Sequence, residues 1–143
     1  LKFLRDQGLI APEEISPDDD AVALDFTRLN NRQIGGVHSR YAVRHAHAIY
    51  IAAGHASRLA YFRRDLRLAQ AKFRFRNKKK YKTKYELDDA MFMDEDVAKV
   101  VDQMTKVEAE FEIIKAVAEG FEDIRNAASR EMYRRGSEQA PRD

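Results

Sequence analysis

The chain has 143 residues, the length of one ordinary domain, and carries 26 Lys and Arg against 24 Asp and Glu for a net charge of +2. Hydrophobic residues make up 44 %, enough for a core, and the absence of Cys excludes a disulfide scaffold, a thiolate zinc site and a Cys nucleophile, in keeping with a reducing cytoplasm. With six Gly and three Pro the chain does not read as a turn-rich β protein, and neither a membrane span nor a signal peptide is expected from its apolar runs.

The near-neutral total conceals a block structure. Residues 1–25 sum to −5, residues 26–84 to +15, residues 85–131 to −9 and residues 132–143 to +1. A basic block followed by an acidic one points to a polyanionic partner or to charge pairing between subunits.

Residues 1–25 read as an acidic arm and linker. Leu1, Phe3, Leu4, Leu9 and Ile10 are apolar, Gly8, Pro12 and Pro17 interrupt any long element, and Asp18-Asp19-Asp20 is a solvated acidic run. A short helical turn followed by a linker is expected, either a frayed terminus, or an arm that docks on a partner or an acidic strip that covers the basic surface. Residues 26–135 read as the helical domain. A short helix is expected to begin near Thr27 and to be broken by Gly35-Gly36. From Val37 to about Asn77 there is no Pro, alanine is dense, and Leu59, Phe62, Leu66, Ala69 and Phe73 keep a 3-4-3-4 spacing on one helix face. Such a helix, ~40 residues at ~1.5 Å per residue, is too long to be buried in a compact monomer of this size.

Residues Lys78–Lys82 read as a loop, and Thr83 with Glu86 as a capping box opening a short helix near Lys84–Met91. Asp94 is a good N-cap for a second long helix, with Glu95 and Asp96 in its first turn. Val100, Met104, Val107, Phe111, Ile114, Ala118 and Phe121 then alternate by four and three, the coiled-coil period, and the stripe continues through Ile124, Ala128 and Met132. Gly120 is its weak point and Gly136 a natural stop, so residues 136–143 are expected to be a disordered tail. The fold class is all-α: a long antiparallel helical hairpin with short accessory helices. Two helices bury both stripes poorly, so a homo-oligomer is expected, with Val100, Met104, Val107, Phe111, Ile114 and Phe121 serving core or assembly.

The densest chemical signal is Arg58 to Lys84, which holds twelve bases and one acid in 27 residues. Arg63, Arg64, Arg67, Lys72, Arg74, Arg76, Lys78, Lys79, Lys80, Lys82 and Lys84 are the candidate phosphate contacts. Aromatics are interleaved. Phe62 and Phe73 fall on the core spacing, whereas Phe75, Tyr81 and Tyr85 are the candidate base-stacking residues. Cations with flat π faces are what a single strand requires; the bland alternative is a solvated charged face. His38, His45, His47 and His55 lack carboxylates at ligand spacing and read as helix-interface residues. Gly35-Gly36 is no phosphate loop, Ser39 and Ser57 have no local acid partner, and the acidic cluster Asp88, Asp89, Asp94, Glu95 and Asp96 is explained by capping and charge pairing. An enzyme is not expected, and neither a cofactor nor a metal.

The chain resembles the UvsY-type recombination mediators of tailed phages over roughly Asp25 to Met132. The family's Lys-Ala-Arg-Leu motif at the end of a long helix is similar to Lys72-Phe73-Arg74-Phe75, with Phe in place of Ala and Leu. Lys82-Thr83 through Met91, then Asp94-Glu95-Asp96-Val97 with Lys99-Val100, resembles the family's entry into its final helix, and Phe121-Glu122-Asp123-Ile124-Arg125 fits its later pattern. The resemblance implies a ring-like homo-oligomer of about six or seven subunits that acts without ATP in the host cytoplasm. Lys72 and Arg74 would contact phosphate. The ring would take single-stranded DNA from single-strand binding protein and present it to a RecA-like recombinase, multiplying a weak track by avidity. The residues alone leave two other classes open. One is a helical structural or assembly protein whose basic and acidic blocks pair between subunits; the other is an RNA-binding adaptor.

Overall fold

The computed structural model describes residues 2–9 and 25–139. Among them there is no strand. The elements are α1 (Lys2–Asp6), a 3-10 turn (Phe26–Arg28), α2 (Asn31–Asn77), α3 (Lys84–Phe92) and α4 (Glu95–Gln139). The expected all-α class is therefore observed, with α2 and α4 packed against each other. The linker that contains Asp18–Asp20, and the last four positions of the expected tail, lie outside the described residues. No described helix is long and apolar enough to cross a membrane. The chain divides into two compact units, Leu1–Ala52 with Ile113–Asp143, and Ala53–Glu112.

In the first unit, α2 begins at a reciprocal cap. Asn30 Oδ1 accepts from Gln33 N–H at 2.9 Å, and Gln33 Oε1 accepts from Asn30 N–H at 2.9 Å. The helix then runs through Gly35 and Gly36 without a break, contrary to the expectation from the sequence. Glycine costs a helix about 1 kcal/mol relative to alanine, which is less than the neighbouring residues supply. Ile34 and Val37 flank the pair and are buried with Leu29, Tyr41 and Ala128, against Phe121, Ile124 and Met132 of α4. Tyr41 meets Phe121 edge-on at 5.7 Å between ring centroids, and the Arg44 guanidinium lies over both rings.

Arg135 of α4 ties this unit together. Its Nη2 donates to Phe26 O at 2.8 Å and its Nη1 to Leu29 O at 2.7 Å, satisfying the carbonyls of the 3-10 turn that precedes α2. Its Nε donates to Glu131 Oε1 at 2.7 Å. Arg134 grips the same carboxylate through two nitrogens, and together the two guanidinium groups, Arg134 foremost, hold the Glu131 carboxyl well below the usual range, at about 2. Arg134 also pairs with Glu138, and Ser137 Oγ donates to Arg134 O, so these contacts bracket Gly136 and α4 continues to Gln139 instead of stopping there. Gly120 is likewise spanned.

The leading segment is folded as far as it is described. α1 ends in a Schellman turn: Gly8, at φ 66°, donates to Arg5 O, and Leu9 N–H reaches back to Leu4 O. Leu9 is buried, and the His47 Nε2–H of α2 donates to Gln7 O at 3.0 Å. This part of the arm packs on its own chain.

In the second unit, α2 and α4 run antiparallel: His55 faces Glu110 and Phe73 packs with Val97. His55, Leu59 and Phe73 of α2 and Val97 and Val107 of α4 are buried. The remaining stripe residues Phe62, Leu66, Ala69, Val100, Met104 and Phe111 are half-buried, as is Phe121 in the first unit, where Ile114 is fully buried. α3 closes the end of the pair. The capping box is present, with Glu86 N–H donating to Thr83 Oγ1 at 3.2 Å and Glu86 Oε2 accepting from Thr83 N–H at 3.4 Å. Leu87, Ala90 and Met91 then cover Phe73 and Val97. Asp94 caps α4 by accepting from Val97 N–H at 3.2 Å.

Two outcomes follow for stability. A Cβ added at Gly36 meets nothing within 4 Å, so Gly36→Ala is expected to raise unfolding stability by about 0.5–1 kcal/mol in urea titrations. Glu131 has a depressed pKa in the folded chain, so its contribution is present above its ordinary value of 4.5 and is lost as pH falls toward about 2. Glu131→Gln should therefore lower the urea midpoint at neutral pH, and the gap to the parent chain should close on acidification through that interval.

Candidate nucleic-acid interface

The basic block occupies the second half of α2, the loop after it and the first residue of α3. Arg63, Arg64, Arg67, Lys72, Arg74, Arg76, Lys78, Lys79, Lys80, Lys82 and Lys84 are all exposed. The reason is the stripe spacing: Leu59, Phe62, Leu66, Ala69 and Phe73 take the buried face, and the cations fill the rest of the turn.

The cations then sort by direction. Arg63, Arg67 and Arg74 share one flank of α2, and there the acidic half of the chain answers two of them, Arg63 and Arg74. Arg63 Nη2 lies 3.9 Å from Glu108 of α4, and Arg74 Nη2 lies 3.5 Å from Asp88 of α3. These pairs are within the chain, between the basic and the acidic block. Among the described residues no carboxylate lies within 4.0 Å of Arg64, Arg67, Lys72, Arg76 or the lysines from 78 to 84. Those cations are available to an outside anion.

Lys72 and Arg74, the motif pair singled out in the sequence, do not converge. Two residues apart on a helix, they are separated by about 200°. Arg74 faces Asp88, whereas Lys72 faces the opposite flank and lines a groove with Arg76, one turn on, and Lys99 of α4. The groove has a volume of about 390 Å³; Leu68, Ala69, Phe73 and Val100 form its apolar part, and Asp65, Asp94, Asp96 and Gln103 its polar edge. Lys99 was not among the sequence candidates. The signal that finds it is the antiparallel pairing itself: Phe73 packs on Val97, which places Lys99 opposite Lys72.

The aromatic candidates also divide. Phe75 and Tyr85 are each 85 % exposed, too bare for any packing role in the chain. Tyr81 is half-buried, packed on the Phe73, Met91 and Val97 cluster with Lys80 Nζ 5.9 Å from its ring centroid. Its ring supports the loop that carries Lys78, Lys79, Lys80 and Lys82. Tyr61 is exposed and meets Phe62 edge-on at 6.2 Å, and Phe92 and Met93 stand in solvent at the end of α3. Two histidines face carboxylates of α4: His55 Nε2 is 3.3 Å from Glu110 Oε2 in the buried stripe, and His45 Nε2 is 4.0 Å from Glu122 Oε2.

No protein-family model, curated protein or solved structure matches the chain. The chemistry of this surface is therefore read from its own residues.

The division of the cations has a thermodynamic consequence. In a double-mutant cycle, Arg74→Ala and Asp88→Ala should couple by about 0.2–1 kcal/mol, as partly exposed pairs do. Lys72→Ala and Asp88→Ala should be additive. Denaturant midpoints of the three single variants, the two double variants and the parent chain check both statements.

Proposed function

We propose that this chain binds single-stranded DNA along the end of α2, the loop over 78–83 and the start of α3, and that it acts as a recombination mediator. In that role it would help a RecA-like recombinase replace single-strand binding protein on the strand. The observation that carries the reading is the concentration, between Arg64 and Tyr85, of exposed cations without a carboxylate partner and of two aromatic rings left almost bare. Phosphates account for the first and unstacked bases for the second. A duplex would use the cations and leave Phe75 and Tyr85 without a partner.

The rival reading, a structural protein whose basic block packs on a neighbour's acidic block, is weakened by the in-chain pairs. Arg63–Glu108 and Arg74–Asp88 direct acidic side chains onto the basic helix of their own chain. Self-association nevertheless belongs to the proposal. A ring or other homo-oligomer would multiply the DNA track.

Fluorescence anisotropy with a labelled oligodeoxynucleotide at several salt concentrations tests the reading. Affinity should fall steeply with salt, with a logarithmic slope of about −0.7 for each phosphate neutralised. Replacing Lys79 and Lys80 by Ala should flatten that slope. Single-stranded DNA should outcompete duplex and RNA of the same length. On strands coated with single-strand binding protein, the chain should speed assembly of a RecA-like recombinase. Equal affinity for duplex, or no binding at low salt, would overturn the proposal.

A further inference from the structure

The groove beside Lys72 has a composition that a plain phosphate site would not have. Lys72 and Arg76 enter it from α2 and Lys99 from α4, and none of the three lies within 4.0 Å of a carboxylate among the described residues. Yet Asp65, Asp94 and Asp96 also line it, so the lining as a whole is close to neutral. A free polyanion gains little from such a surface. The lining matches a ligand with an anionic end, a flat apolar body and an edge that carries hydrogen-bond donors. The volume, about 390 Å³, lies within the ~300–1,000 Å³ of small-ligand sites.

We infer that this groove takes one unstacked nucleotide of a single strand, with its phosphate on Lys72, Arg76 and Lys99 and its base on Leu68 and Val100. The inference rests on the single-strand reading above and gives it a subsite. The exposed edge of the base then meets Asp65 and Gln103. Carboxylates accept from exocyclic amino groups, as they do from cytosine N4, so cytosine fits better than thymine. A base inside a duplex is stacked and paired and does not enter. The groove thereby adds to the preference for single strands that Phe75 and Tyr85 give, while the loop lysines supply affinity without regard to base.

The chain contains no Trp, so Ala71→Trp places a single fluorophore one turn from Leu68, at an exposed position outside the groove's lining. Oligodeoxycytidylate and an abasic oligonucleotide of equal length are titrated against it, with binding followed separately by anisotropy. Both should bind; the cytidylate should quench the tryptophan and the abasic strand should not. In the chain without the tryptophan, Lys99→Ala should weaken the cytidylate by roughly fivefold or more, as the loss of one charge-assisted contact to a phosphate does. Lys106→Ala, an exposed cation elsewhere on α4, should leave it unchanged. If the cytidylate binds with an unquenched tryptophan and Lys99→Ala is silent, the groove assignment is wrong while the single-strand reading stands. If the unsubstituted chain does not bind cytidylate at all, both fail.

Discussion

Packing of α2 against α4 is the interaction on which every other feature rests. Each helix offers apolar side chains at alternating spacings of three and four, and each alone would leave that stripe in water. In the first unit the stripes bring Ile34, Val37 and Tyr41 onto Phe121, Ile124 and Ala128; in the second they bring Phe73 onto Val97. The caps then fix where the helices begin. Asn30 with Gln33, Thr83 with Glu86, and Asp94 with Val97 satisfy the amides that a helix start leaves open. Arg135 adds a long-range constraint by holding the carbonyls of Phe26 and Leu29.

The stripe also decides the fate of the charges. A basic segment on α2 and an acidic one on α4 lie side by side because the antiparallel pairing puts them there. Glu110 meets His55 inside the stripe, a polar pair that a shifted register would separate at a desolvation cost. At the rim, Glu108 and Asp88 neutralise part of one flank of α2. The cations of the other flank and of the loop are left over, and this surplus, with Phe75 and Tyr85 beside it, carries the functional reading.

Periodic features were legible from the sequence. The stripe on α4, the stripe from Leu59 to Phe73, and the caps at Thr83 and Asp94 each depend on residues close in sequence, and they stand where the spacing puts them. Glycine misled: Gly35-Gly36 and Gly136 lie inside helices because burial of Ile34 and Val37, and the contacts among Glu131, Arg134 and Glu138, outweigh a local propensity of about 1 kcal/mol per glycine. The candidate site was legible as composition but not as geometry. Which cations are paired, that Lys72 and Arg74 diverge, that Tyr81 supports the loop, and that Lys99 joins the groove all depend on what α3 and α4 bring alongside α2. No local pattern in the basic block encodes those contacts.

The central claim is that the bare aromatic rings of the basic end meet unstacked bases. Photocrosslinking with an iodouracil-containing single strand, followed by peptide mapping, tests it most directly. Adducts are expected on Phe75 and Tyr85, lost when excess unlabelled single strand is added. Adducts confined to peptides outside residues 58–99, from a strand that is demonstrably bound, would contradict it.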